Sequence, residues 1–195
     1  MKKFELKSET KINIFGKKLF RIKALISFGN VEAGETGGWV EKEENVNQSG
    51  DAWVSGNAMV YGNAEVSGNA RVSGNARVSG DAWVSGNAMV SGNAMVSGNA
   101  EVSGNAEVYG NAEVYGNAEV SGNADYTTIR GFGTQFRTTT FFRCKDKQVK
   151  VSCGCFYGTI PEFREQVKNT RKGKIAEEYL MIADLMEKHF AEEAK

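Results

Sequence analysis

A six-residue unit begins at Ser49 and repeats thirteen times without interruption to Tyr126, reading Ser/Tyr, Gly, Asn/Asp, Ala, any residue, Val. A fixed short period of this kind constrains a fold more than any other feature of a chain, because each unit is too small to bury anything alone and must stack on its neighbours. An aliphatic residue at one position of every hexad and alanine four positions later predict a left-handed parallel β-helix. Each hexad forms one short strand and a corner, and three hexads form one triangular coil, so residues eighteen apart stack. Val54, Val60, Val66 and their successors point inward, Ala58, Ala64 and Ala70 fill the narrow corners, and Gly56-Asn57 takes the bend. At a strand spacing of about 4.8 Å the uninterrupted hexads span roughly 20 Å.

The fold class expected is mainly β, in three parts: an N-terminal β cap over residues 1–37, the β-helix over 38–126, and a small C-terminal α+β domain over 127–195 made of a β-hairpin and two helices. In the cap, Lys11–Phe15 and Leu19–Ala24 read as strands around a turn at Gly16-Lys17-Lys18. Gly-rich bends lead to Val40 and Val46, six apart, which open the first, irregular coil. Behind the repeats, Arg137–Lys145 alternates and turns at Asp146-Lys147, predicting a hairpin with one buried face, carrying Val149, Val151, Cys153 and Cys155, and one basic face. Thr159-Ile160-Pro161-Glu162 predicts a capped helix to about Asn169, broken by Gly173, and a second helix follows over Ile175–Glu193.

Net charge is zero, but it is a sum of unlike segments. Residues 49–126 carry 2 basic and 8 acidic groups, whereas residues 127–175 carry 11 and 3. The basic segment is therefore where an anionic partner is sought. No apolar run reaches the length of a membrane span, so no membrane partner is expected, and three cysteines within twelve positions argue for a reducing, cytoplasmic setting.

No set of residues predicts catalysis. The single histidine, His189, belongs to the last helix and reads as solvent-facing, while Cys144, Cys153 and Cys155 fall short of a structural zinc set and read as small core side chains. No metal and no cofactor is expected. Trp53, Met59, Met89 and Met95 occupy outward repeat positions and predict a homo-oligomer. The candidate ligand-binding residues are Arg130, Phe132, Phe136, Arg137, Thr138, Thr139 and Thr140, extended by Arg143 and Lys150 on the basic hairpin face: guanidinium forks for phosphate, hydroxyl donors, and rings that stack on a base. The alternative is that the basic face only docks the domain on the acidic last coils. Long nucleic acid is not the expected partner.

Two blocks, Phe28-Gly29-Asn30-Val31 through Gly37-Gly38-Trp39-Val40-Glu41-Lys42-Glu43, and Arg137-Thr138-Thr139-Thr140-Phe141 with Cys153-Gly154-Cys155-Phe156-Tyr157-Gly158-Thr159, resemble a family of hexapeptide-repeat proteins found in bacteriophages and prophages. The first block also looks like one in enterobacterial β-helix proteins labelled as transferases. The resemblance implies a phage accessory protein. By analogy with small phage proteins that sequester nucleotide immune signals, it implies a non-catalytic sponge for a phosphate-bearing small molecule, with a virion or tail spacer and a repeat acyltransferase as the alternatives.

Overall fold

In the computed structural model, which describes residues 2–191, the chain forms two compact units, Met1–Asn123 and Ala124–Lys195. The first is a β-solenoid of about five turns. Twelve two-residue strands, β4 (Trp53–Val54) to β15 (Glu119–Val120), recur one per hexad. Partners are eighteen apart and parallel, as in Met89 with Arg71 and Glu107. Val54 and every later repeat valine to Val120 are fully buried, and the repeat alanines from Ala52 to Ala118 are no more than 1 % exposed. A core of one valine and one alanine per side leaves no room for a larger group.

The corners are divided between glycine and asparagine in a way that the sequence reading missed. Only the hexad glycines take positive φ, for example 63° at Gly56, and no repeat asparagine does. The asparagines instead form side-chain ladders up the corners: Asn57 donates to Asn75, Asn75 to Asn93 and Asn93 to Asn111, at 3.4, 3.2 and 3.1 Å. Asn69, Asn87 and Asn105 repeat the pattern at 3.0 Å.

The N-terminal strands β1 (Phe4–Ile12) and β2 (Lys18–Ala24) do not form a separate body. With β3 (Thr36–Val40) they extend one solenoid face into a seven-stranded sheet. Ile14 and Phe15, expected in a strand, lie in the turn because the Asn13 carboxamide oxygen accepts from the amides of Phe15 and Lys17 at 2.9 and 3.0 Å. Val40 and Val46 do open the first coil, pairing with Val60 and Val66. A Cβ at Gly38 would meet Val54 Cγ1 at 2.6 Å, so this glycine permits close approach rather than a turn. Two buried polar side chains satisfy the open backbone there. Asn45 donates to Ala64 O (2.8 Å), and Lys3 Nζ donates to Ala52 O (2.9 Å) beneath the Phe28 ring. Trp53, expected outside, is 2 % exposed, since the rings of Phe4 and Phe28 pack edge-on against it.

The second unit is a four-stranded antiparallel sheet, β16 (Tyr126–Phe132), β17 (Arg137–Arg143), β18 (Val149–Cys153) and β19 (Phe156–Thr159), followed by α1 (Ile160–Thr170) and α2 (Gly173–Phe190). The expected hairpin is thus the middle of a larger sheet. Its turn is where the sequence puts it, with Asp146 Oδ1 accepting from the Gln148 amide at 3.1 Å. Thr159 caps α1 reciprocally with Glu162. α2, expected to reach Glu193, ends at Phe190, since Ala191 is already extended (φ −60°, ψ 133°), and residues 192 and 193 of that expectation lie outside the described residues.

Candidate functional site

Cross-strand register decides which side chains of the second unit share a surface. Phe141 opposite Val151 and Thr139 opposite Cys153 lie on one face, and Phe142 opposite Lys150 and Thr140 opposite Ser152 lie on the other. Phe141 and Val151 belong to the core that α1 and α2 cover, with Phe163 meeting Phe141 and Tyr179 edge-on at 6.1 and 5.9 Å. The face expected to be buried, with Val149, Val151 and Cys153, is thus the one the helices cover, but Arg137 and Arg143, expected on the basic face with Lys150, lie on this covered face instead. The pairing of two large apolar residues there outweighs the charges at its ends.

The nine candidate residues accordingly do not gather at one place, although Phe132 pairs with Arg137 across β16 and β17. Arg143 is used structurally: its Nη2 donates to Phe190 O at the end of α2 (3.0 Å) and its Nε lies 3.5 Å from Asp125 Oδ1. Lys150 is on the opposite face of the sheet. Thr139 and Thr140 are buried, Thr138 is half-buried, and Arg130 is exposed. Phe132 is half-buried against the helix core, and Phe136, at φ 49° in the turn, is exposed. Of the nine, Arg137 lines a cavity.

That cavity, of about 470 Å³, lies between the end of the sheet and α1, and its wall includes Arg137, Cys153, Cys155, Phe156, Tyr157, Gln166, Thr170, Arg171 and Tyr179. Arg171 arrives from the junction of the two helices, thirty-four positions from Arg137, and nothing in the local sequence pairs them. Position 154 favours glycine because its φ is 62°, and the absence of a Cβ lets the Arg137 guanidinium rest on this turn. The expectation that the cysteines are core side chains holds for Cys144, holds in part for Cys153, which packs against the helix-covered core, and fails for Cys155. Cys144 is buried, Cys153 is half-buried, and Cys155, just past the end of β18, is exposed.

Tyr179 ties the cavity to the core. Its hydroxyl donates to Phe132 O at 3.2 Å. Burial, then the neighbouring Cys153 sulfur, raises its pKa, against an opposing pull from Arg171 and Arg137. Both guanidiniums thus act on one phenol, and the cavity is cationic on that side. A second cavity of about 490 Å³, lined by Val149, Ile160, Pro161, Phe190 and the Glu187 carboxylate among others, offers no cation for an anion to meet. His189 stands exposed in the last turn of α2, edge-on to Phe190. Among the described residues no three His, Cys, Asp or Glu side chains gather as a metal ion would require, and no helix is long and apolar enough to cross a membrane.

No curated protein matches the chain. The family model described as YdcK beta solenoid repeat matches residues 52–68, 64–80, 70–86, 82–98 and 88–104, all within the hexads, so it is the repeat that is similar, while residues 124–195 lie outside every match.

Proposed function

We propose that the protein is a non-catalytic binding protein in which a β-solenoid carries a small α+β unit whose cationic cavity takes a phosphate-bearing small molecule of nucleotide size. The observation that carries this reading is the convergence of Arg137 and Arg171 on one cavity. Guanidinium forks hold phosphate oxygens in two parallel hydrogen bonds. The Gln166 carboxamide supplies a further donor, and Phe156 and Tyr157 at the wall offer rings for a base. The ligand site is thus moved from the Arg130–Thr140 segment to a wall that only Arg137 shares with it. In a cell such a protein would act by sequestration, as a sponge for a nucleotide signal.

Calorimetric titration with nucleoside mono-, di- and triphosphates, cyclic dinucleotides and pyrophosphate tests the reading. Binding is expected for at least one, with the ligand recovered intact by mass spectrometry. Arg137→Gln and Arg171→Gln should each weaken it about tenfold while the thermal transition stays in place, as loss of one charge-assisted hydrogen bond implies. Absence of binding to every phosphate compound would overturn the reading, and turnover of a bound nucleotide would overturn its non-catalytic part.

Self-association belongs to the same proposal, through Trp83 and Met89, which remain 47 % and 42 % exposed on the solenoid. Light scattering at micromolar concentration should give a multiple of 21.2 kDa, and that multiple should fall for Trp83→Ser with Met89→Ser.

A further inference from the structure

Cys153 and Cys155 face the same cavity as Arg137 and Arg171, and both are free thiols. Cys153 ends β18, Gly154 turns the chain, and the Arg137 guanidinium rests on that turn. Thr139 Oγ1 donates to Cys153 Sγ at 3.1 Å. The Tyr179 hydroxyl is close enough for the sulfur and both arginines to act on it. A half-buried sulfur that accepts from the Thr139 hydroxyl therefore lies in the wall of a space of about 470 Å³ that Tyr179, Arg137 and Arg171 also line. In thiol–disulfide exchange the negative charge starts on the attacking sulfur and ends on the departing one. The Thr139 hydroxyl is placed to donate to the sulfur during exchange, and the cations of the shared wall concentrate an anionic reagent beside it.

We propose that Cys153 is a covalent modification site for small anionic disulfides, that is, peptide disulfides carrying carboxylates, of the glutathione type. The Cys153 sulfur gives its proton to solvent and attacks one sulfur of the disulfide. A bond forms between the two, the original S–S bond breaks, and the released half leaves as a thiolate that takes a proton from solvent. The protein sulfur is oxidised and the released thiol is the reduced product, so electrons balance without a further oxidant. The mixed disulfide fills the cavity and places the carboxylates of the bound half beside Arg137 and Arg171. The proposal uses the cations of the binding site but not its ligand.

The test is run without nucleotide in a Cys155→Ser background, where Cys144 is buried and Cys153 is the accessible thiol. Glutathione disulfide and the dicationic cystamine are compared by intact mass and peptide mapping. Cys153 is expected to react about tenfold faster with the anionic reagent, in line with electrostatic steering at a charged cleft. Arg137→Gln and Arg171→Gln should each reduce that preference, with helical circular dichroism showing that they fold. Modification only after denaturation, a rate with cystamine equal to or above that with glutathione disulfide, or a preference unchanged in both arginine variants would overturn the proposal. A protein that takes glutathione disulfide in this manner but binds no phosphate compound keeps this site and loses the nucleotide reading.

Discussion

The solenoid and the C-terminal unit solve the same problem, burying a core, by opposite means. In the solenoid every hexad repeats one answer, so Val90 has the same neighbours as Val72 and Val108, one coil away on either side. In the C-terminal unit no answer recurs. Phe141, Phe163 and Tyr179 come from a strand and two helices to form one aromatic cluster. Repetition makes stability a sum of identical nearest-neighbour terms and leaves little room for a cavity inside the rod. Irregular packing leaves edges and junctions, and there Arg137, Cys153 and Arg171 meet. The part of the molecule that is easiest to fold from its sequence is the part that says least about its chemistry.

The two units can be followed separately. Trp39, Trp53 and Trp83 all belong to the first, and both α-helices among the described residues belong to the second. Tryptophan fluorescence therefore reports the solenoid, and far-ultraviolet circular dichroism in the helical region reports the C-terminal unit. The largest effect is expected from Val90→Asp, which buries an uncompensated carboxylate in a core of valine and alanine and costs several kcal/mol. The cooperative fluorescence transition should disappear. Retention of a normal transition would break the inward register. Phe141→Ala is the corresponding change in the irregular core, where loss of a fully buried ring should cost about 3–5 kcal/mol, read as a lowered midpoint of the helical signal in guanidinium. A fluorescence midpoint that falls as far as the helical one would deny that the two cores are distinct.

Alkaline pH should drive the units apart. Burial lowers Lys3 to about 8 from its ordinary 10.5, against the Asp51 charge that raises it. The folded solenoid then binds fewer protons than its unfolded chain between pH 8 and 10.5, and its stability rises across that window. Lys11, lowered by burial and then by Arg21 and Arg77, adds in the same direction. Cys144 does the reverse. Burial, and then Asp146, pushes its thiol up to about 11 from 9.0, so the folded C-terminal unit holds more protons and its stability, full below pH 9, is lost as pH passes 11. The Lys3 and Cys144 effects are each of the order of 1–3 kcal/mol. Denaturant titrations between pH 8 and 11 should show the fluorescence midpoint rising while the helical midpoint falls, and parallel movement of both would contradict this assignment.

The smallest effect sharpens the difference in local chemistry. Thr159→Ala removes one half of a reciprocal cap on α1 and should cost about 1 kcal/mol, seen in the helical signal. Asn93→Ala removes two exposed ladder bonds, to Asn75 and Asn111, and should cost less than the cap because water replaces each partner. If Asn93→Ala costs more, the ladders contribute cooperatively along the corner.

The sequence by itself determined the solenoid, because a period of six fixes which residue points inward whatever surrounds it: Val and Ala at fixed offsets admit one stacking, and Val40 and Val46 extend it backwards. It also determined the cap of α1 and the turn at Asp146, since Thr159, Glu162 and Asp146 act on backbone within three residues of themselves. Tertiary structure decided the rest. Trp53 occupies an outward repeat position yet is buried, because Phe4 and Phe28 from the N-terminal segment cover it. Arg143 had the composition of a ligand residue, but the end of α2 claims it. Arg137 and Arg171 share a cavity only because α1 returns over the sheet, and a contact between positions so far apart costs loop closure that no local pattern records. The site is set by which surfaces the helices cover, and that choice depends on the summed burial of Phe141, Phe163 and Tyr179 rather than on any short motif.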